Sequence, residues 1–331
     1  MKSLIQTLAE STGPSGYENK VREVIEKEIT PYADDTRVDN LGNLIVMKGQ
    51  KSNQGKTIML AAHMDEIGLM VTHVDKNGFA RFTKIGGVFP RNTAGGRVRF
   101  LNGAAGVIGM EPHSNYSSVP SLDKMFIDLG VSNAKDCPVQ IGDVAVFERR
   151  FEDLGERLVA KAMDDRVGVA VLIEAIKATK NTPNQIYAVF TVQEEVGTRG
   201  AGPAAYGIEP DLAMSIDVTI CGDTPQNKNT QVFLGKGPAI HLKDLFTLSD
   251  PRVSAWIQNI AKRAKIPYQT SILTVGWTDA YTIQTSRSGV PTSGISIPCR
   301  YIHSPSEMVD INDVLNTTKL IATLLSNPIK L

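Results

Sequence analysis

The segment Thr57-Ile58-Met59-Leu60-Ala61-Ala62 narrows the fold more than any other stretch, because it is apolar without alternation. A strand with one face in water alternates apolar and polar residues. An unbroken apolar run of this length fits a strand covered on both faces, as in an α/β sheet with helices above and below. The run stops at His63-Met64-Asp65-Glu66. In an open α/β sheet ligands bind at the carboxyl ends of the strands, so polar residues placed there are candidates for chemistry.

The rest of the chain sorts around that strand. Ser15 and Glu18 have the spacing of a capping box, and Val21, Val24, Ile25 and Ile29 follow at helical intervals, which predicts a helix over 16–30. A hairpin is predicted over 36–47, turning near Asn40-Leu41-Gly42-Asn43. From Ile67 to about Ala160 the texture changes to short alternating stretches broken by turn signals such as Lys76-Asn77-Gly78 and Leu101-Asn102-Gly103. No helical period stands out there, so 67–160 is read as an all-β insert. After Asp164 the α/β texture resumes. A helix carries Val167, Val171, Ile173 and Ile176, strands are predicted over 186–192 and 212–216, and helices follow around Val253 to Ile260 and Val314 to Leu325.

Composition excludes several classes of partner. The 331 residues carry 35 Lys+Arg against 35 Asp+Glu, so there is no electrostatic footprint for nucleic acid or an anionic membrane. A small, weakly charged partner fits better. Cys137, Cys221 and Cys299 are too few and too scattered for a disulfide framework. The opening segment reaches Glu10 and Ser11 before an apolar stretch of signal-peptide length, and nothing later approaches about 18 uninterrupted apolar residues. The expectation is a soluble, cytoplasmic protein.

Five clusters stand at or just beyond the ends of these elements: His63-x-Asp65, Asp164-Asp165-Arg166, Glu194-Glu195, Asp217 and His303. Each has a plain structural reading. A lone histidine is commonly a satisfied core residue, and Asp164 and Asp165 suit the N-terminus of the helix that starts there. Asp65 alters the first case, since a carboxylate two residues on can fix the imidazole tautomer and leave the other nitrogen for a metal. Glu194 and Glu195 resist the plain reading. They follow an apolar strand, and adjacent carboxylates in a low-dielectric pocket need a positive neighbour, unless the loop is solvated. Asp217 raises the same question after its own apolar strand. His73, His113 and His241 have no such setting and are read as structural or exposed.

Two histidines with three or four carboxylates make a donor set for Zn²⁺, Co²⁺ or Mn²⁺. Two such ions about 3.5 to 4 Å apart need a bridging carboxylate and terminal ligands on each side. The inventory permits that. The HExxH pattern of one-helix metalloproteases does not occur in the sequence.

At this point the chain resembles the tetrahedral aminopeptidase family, the glutamyl and deblocking aminopeptidases among the dinuclear metallopeptidases. The resemblance is carried by AAHMDEIGLMV at 61–71, AMDDRVGVAVL at 162–172, TVQEEVGTRGA at 191–201, SIDVT at 215–219 and RYIHSPSEMVD at 300–310, with SGYENKVREVI at 15–25. It implies a mixed-sheet α/β/α catalytic domain, 1–66 plus 161–331, interrupted by a PDZ-like β-rich dimerisation domain at 67–160. It also implies homo-oligomers, with dimers assembling into a dodecamer. Residue by residue, His63 and Asp217 would be terminal ligands of one metal and Glu195 and His303 of the other, with Asp164 bridging. Asp65 would orient His63, and Glu194 would be the general base and acid. Trp277 stands where the family commonly has a second glycine, and Ser306 where an aliphatic residue is frequent. Both positions are expected near substrate-facing loops.

The implied activity is a metal-dependent aminopeptidase acting on peptides with a free N-terminus. A metal-bridging hydroxide would attack the first peptide carbonyl, with Glu194 taking its proton and handing it to the leaving amine. A dinuclear amidohydrolase acting on acylated amino acids could use the same core. Some family members carry an endoglucanase label. A glycosidase would leave both histidines unused, and Glu194 and Glu195, if strand-like, would point to opposite faces. With 2 Trp and 6 % aromatic residues a sugar-stacking cleft is also poorly supplied. A non-catalytic scaffold built on the β insert would require a vestigial metal site.

Overall fold

The computed structural model describes residues 1–112, 118–227 and 230–331. His113 therefore lies outside the described residues.

Thr57–His63 is a strand buried at every position, as its unbroken apolar character requires. It sits near the middle of an 11-stranded mixed sheet. Gln185–Thr191, Thr57–His63, Leu212–Ile220 and Thr292–Arg300 run parallel side by side, so their carboxyl ends face one edge. The predicted hairpin forms from Asp35–Val38 and Leu44–Lys48 and extends the sheet antiparallel on one flank. Glu307–Asp310 and Arg157–Ala160 extend it on the other.

Alternation within the central strands sorts two cores. Ile58, Leu60 and Ala62 belong to a large apolar cluster with the helices Met163–Ala178 and Ile311–Leu325, whereas Met59 and Ala61 face a smaller one with the helix Ala201–Ile208. At roughly 1.5–3 kcal/mol for each fully buried aliphatic side chain, this two-sided burial selects the central position of the strand.

Six further strands close into a barrel: Gly68–Val74, Ala80–Ile85, Arg97–Phe100, Ala105–Met110, Met125–Asp128 and Val144–Phe147. Its interior is a separate cluster that includes Leu69, Phe82, Val98, Phe100, Ile127 and Phe147. The chain is back in the large sheet by Glu152–Asp153 and Arg157–Ala160, ahead of residue 161. Among the described residues, no helix is long and apolar enough to cross a membrane.

One expected element begins elsewhere. The helix predicted over 16–30 runs Asn19–Ile29, and Ser15 does not cap it. The Ser15 hydroxyl donates instead to Asp65 Oδ2 at 2.6 Å, and Glu18 Oε1 accepts from the backbone N–H groups of Gly16 and Gln193. Both side chains serve the site edge rather than their own helix.

Candidate active site

The four parallel strands deliver the site. His63 ends one strand, and the turn after Gln185–Thr191 carries Glu194 and Glu195. Asp217 lies inside Leu212–Ile220, not beyond its strand as the sequence suggests. That strand outruns its neighbour: its last pairing is Ser215 with Ala61, so Asp217 comes level with His63. His303 follows Thr292–Arg300. Asp164 comes from the start of the helix Met163–Ala178, where Asp164 and Asp165 have non-helical dihedrals and are joined by a cis peptide bond. The Asp164 carboxylate faces His63 and His303, while Asp165 Oδ1 accepts the Gly168 N–H at 3.1 Å and so caps the helix.

The polar atoms converge. His63 Nε2 lies 2.9 Å from Asp164 Oδ1 and 4.0 Å from Asp217 Oδ1. His303 Nε2 lies 3.3 Å from Asp164 Oδ2 and 3.2 Å from Glu195 Oε2. His63, Asp164 and Asp217 form one group able to hold a metal ion, and Asp164, Glu195 and His303 form another, with ligand atoms within 4.8 Å of one another in each. Asp164 belongs to both, offering a different oxygen to each imidazole.

Asp65 organises the edge. Its Oδ1 is 3.3 Å from His63 Nδ1 and accepts the Glu194 N–H, while Oδ2 accepts from the Glu195 N–H and the Ser15 hydroxyl. Glu194 and Glu195 are thus set by a turn, not by a strand. Gln193 at φ 57 begins it, and both side chains line the same cavity instead of opposite faces.

The charge balance fits a cationic guest. Burial pushes the carboxyls of Glu194 and Asp217 well above the usual range, and nearby carboxylates reinforce this for both. Burial also raises Glu195, against the pull of His303. Burial disfavours the His303 cation, but Glu195 and Asp164 outweigh it and push its pKa up to about 12. The nearby cations Lys161 and Arg166 are turned to Glu66, at 2.6 and 3.4 Å. Divalent cations would offset this crowded negative charge, and imidazole with carboxylate oxygen is the donor chemistry of zinc, cobalt or manganese sites.

The cluster forms one wall of a cavity of about 620 Å³. Glu194 Oε1 is buried there without a hydrogen-bond partner. Phe89, Ile220, Val275 and Trp277 supply apolar wall. Trp277 thus does face the cavity. Ser306 borders a separate cleft of about 360 Å³ beside Asn92 and Arg97. His241, which the sequence leaves without a functional setting, is buried, lines the cavity and lies 3.2 Å from the buried carboxylate of Asp244. His73 is exposed.

Some supporting residues were not singled out from sequence. Glu307 accepts the Asp164 N–H at 2.9 Å and the His303 N–H at 2.7 Å, so one buried carboxylate holds the backbone of two site residues. Asp279 accepts from the Thr191 hydroxyl at the end of a central strand, and burial pushes its pKa up to about 6. An acid at the start of a short helix and a glutamate four residues after a histidine carry no chemical pattern of their own, so only the fold reveals them.

Comparison with known proteins gives concordant matches. The profile of the M42 glutamyl aminopeptidase family matches residues 42–320. The lysyl aminopeptidase of Pyrococcus furiosus is 35 % identical over 339 residues, covering 97 % of this chain and 96 % of the relative. Among solved structures, the aminopeptidase APDkam598 of Desulfurococcus kamchatkensis superposes with a TM-score of 0.94 at 39 % identity, covering 98 % of this chain and 94 % of the other. The TET1 peptidase of Pyrococcus horikoshii, which can assemble into a tetrahedron or a large octahedral shell, gives 0.88 at 35 % identity, covering 98 % of each chain. A Thermotoga maritima structure labelled endoglucanase gives 0.82 at 35 % identity, covering 97 % of this chain and 96 % of the other.

Proposed function

This chain belongs to the M42 glutamyl aminopeptidase family, and from that premise we propose that it is a dinuclear metal-dependent aminopeptidase that removes N-terminal residues from peptides. Aminopeptidase activity is supported by the family and by relatives that carry that name. In the proposal His63 and Asp217 hold one divalent cation, Glu195 and His303 hold the other, and Asp164 bridges them. The ions are zinc, cobalt or manganese. The observation that carries this reading is Asp164, with one oxygen 2.9 Å from His63 Nε2 and the other 3.3 Å from His303 Nε2.

When bound, the cations would supply an acidified water and a Lewis-acid partner for the peptide carbonyl. The remaining work falls to the chain. Glu194 takes the proton of the attacking water on a buried carboxylate and returns it to the departing amine. Asp65 holds the His63 ring from its Nδ1 side and ties down the two backbone N–H groups that aim Glu194 and Glu195. Glu307 does the same for Asp164 and His303. Site carboxylates attract the free amino terminus of the substrate, which favours cleavage of the first peptide bond.

The proposal assigns catalysis to 1–66 plus 161–331 and subunit pairing to the insert 67–160, read as a PDZ-like dimerisation domain, with 152–160 packed in the large sheet. By analogy with the PhTET1-12s structure, whose asymmetric unit holds a dodecamer, and with the Pyrococcus horikoshii peptidase that can assemble into a tetrahedron, dimers would assemble into a dodecamer. The protein is proposed to act in the cytoplasm. An amidohydrolase could share these cation groups and is separated only by the substrate panel, whereas an endoglucanase reading is weaker. Both imidazoles sit within the cation groups, and a two-carboxylate glycosidase has no use for them.

The test is a panel of aminoacyl-anilides, N-acylated amino acids and soluble cellulose, assayed after loading with Zn²⁺, Co²⁺ or Mn²⁺ and again with chelator. Chelator-sensitive cleavage of free-amine substrates alone is the expected result. Chelator-insensitive cellulose hydrolysis, or cleavage confined to acylated amino acids, would reject the proposal.

A further inference from the structure

One segment of the barrel reaches the cation cluster. Residues 86–92 leave the barrel strand Ala80–Ile85 and lead into the short helix Pro90–Thr93. A Cβ on Gly87 would stand 2.2 Å from His303 Nδ1 and 2.4 Å from Cε1, so the glycine backbone fills the space against the ring edge next to Nε2. Gly86, at φ +76, approaches the other side chain of the same group. A Cβ there would lie 3.0 Å from Glu195 Cβ and 3.1 Å from its Oε2.

Two more contacts come from the same segment. The Phe89 ring stacks on the His303 ring, with centroids 6.1 Å apart and planes at 27°. Asn92 Nδ2 donates to the His303 carbonyl at 3.0 Å. Val88, buried in the barrel core, anchors the segment in the barrel, and the Thr93 hydroxyl closes its short helix locally by donating to the Phe89 carbonyl at 2.8 Å.

His303 is therefore held from two domains at once. Glu307 of the large sheet fixes its N–H, while the barrel segment fixes its carbonyl, one ring edge and one ring face. His63, in the other group, has its partners Asp65, Asp164 and Asp217 within or beside the large sheet.

We infer that residues 86–92 form a positioning strap through which the barrel completes the Glu195–His303 cation site, leaving the His63–Asp217 site independent of it. This rests on the dinuclear reading, and the experiment separates the two. Cation-stripped wild-type protein is titrated with Zn²⁺ by calorimetry, and the Co²⁺-loaded form is followed by its visible absorption. Wild type is expected to take up two ions per chain. Gly87→Ala is expected to keep one binding step unchanged and weaken the other at least 10-fold, with half of the cobalt spectrum altered. Asn92→Ala, which adds no bulk, is expected to weaken the same step several-fold. Ile141→Ser, an exposed barrel change away from the strap, is expected to alter neither step. A generally loosened protein would weaken both steps together, and that result would overturn the inference. So would two unchanged steps in both strap variants, while leaving the dinuclear reading intact. Fewer than two ions in wild type would remove that reading and the strap with it. Should Gly87→Ala fail to fold, Asn92→Ala alone decides the matter.

Discussion

Glu194 is the residue whose position is hardest to justify by stability. Its carboxylate is buried with an unpaired oxygen, and burial together with Asp217, Asp279 and Glu195 raises its pKa, so folding gains nothing from it there. A residue kept in that state is suited to moving a proton. Glu194→Gln preserves shape and removes the proposed base, so on the dinuclear proposal the expected outcome is a fall in kcat of at least 100-fold with an unchanged cation content. Elemental analysis beside steady-state kinetics checks this, and near-wild-type turnover would remove Glu194 from the mechanism. At this scale the sequence was largely legible. His63, Glu194, Glu195, Asp217 and His303 each stand near the end of an apolar run and Asp164 at the start of a helix, and all six line one cavity. Glu307 and Ser15 were illegible as site residues because they act through a backbone N–H and through Asp65, contacts that leave no spacing signature.

Elements show where local pattern loses to tertiary contact. The Ser15–Glu18 pair has capping-box spacing, yet both side chains bind partners far along the chain, Asp65 and Gln193. The Asp164-Asp165-Arg166 run reads as a helix start, and Arg166 proves to be the link between two helices. It is fully buried and donates to the Leu8 and Ser11 carbonyls at 2.6 and 2.8 Å, satisfying the C-terminal end of the helix Lys2–Glu10, and it lies 3.4 Å from Glu66. Removing it leaves Lys161 as the cation beside Glu66 and takes the guanidinium from the Ser11 carbonyl, while the Gly13 N–H still donates to Glu66 and the Ser11 N–H to the Leu8 carbonyl. Arg166→Met is expected to lose roughly 3–5 kcal/mol, read as a lower urea midpoint. Arg166→Lys is not expected to restore it, since a single ammonium cannot span the same acceptors. An unchanged midpoint in Arg166→Met would show that the helix pair holds without this link.

Across the whole molecule the two apolar cores and the acidic edge have opposite needs. The central strands, buried on both faces, carry Glu194, Glu195 and Asp217 to one sheet edge, where Asp164 joins them in one cavity. Like charges gathered in a buried wall destabilise the folded chain unless something positive binds, and any species that binds only the folded state adds RT ln(1 + [L]/Kd). At free cation 100-fold above Kd that is about 2.7 kcal/mol for one site. Chelator treatment at fixed protein concentration is therefore expected to lower Tm by several degrees, on the order of 5 °C, with recovery on adding back Zn²⁺ or Co²⁺. The shared Asp164 adds a constraint. In Asp164→Ala both cation groups lose a ligand at once, so Tm should become insensitive to chelator, whereas Asp217→Ala should leave part of the response through Glu195 and His303. Scanning calorimetry of the three proteins with and without chelator makes the comparison. A full chelator response persisting in Asp164→Ala would mean that the cations supporting the fold bind somewhere other than this cluster.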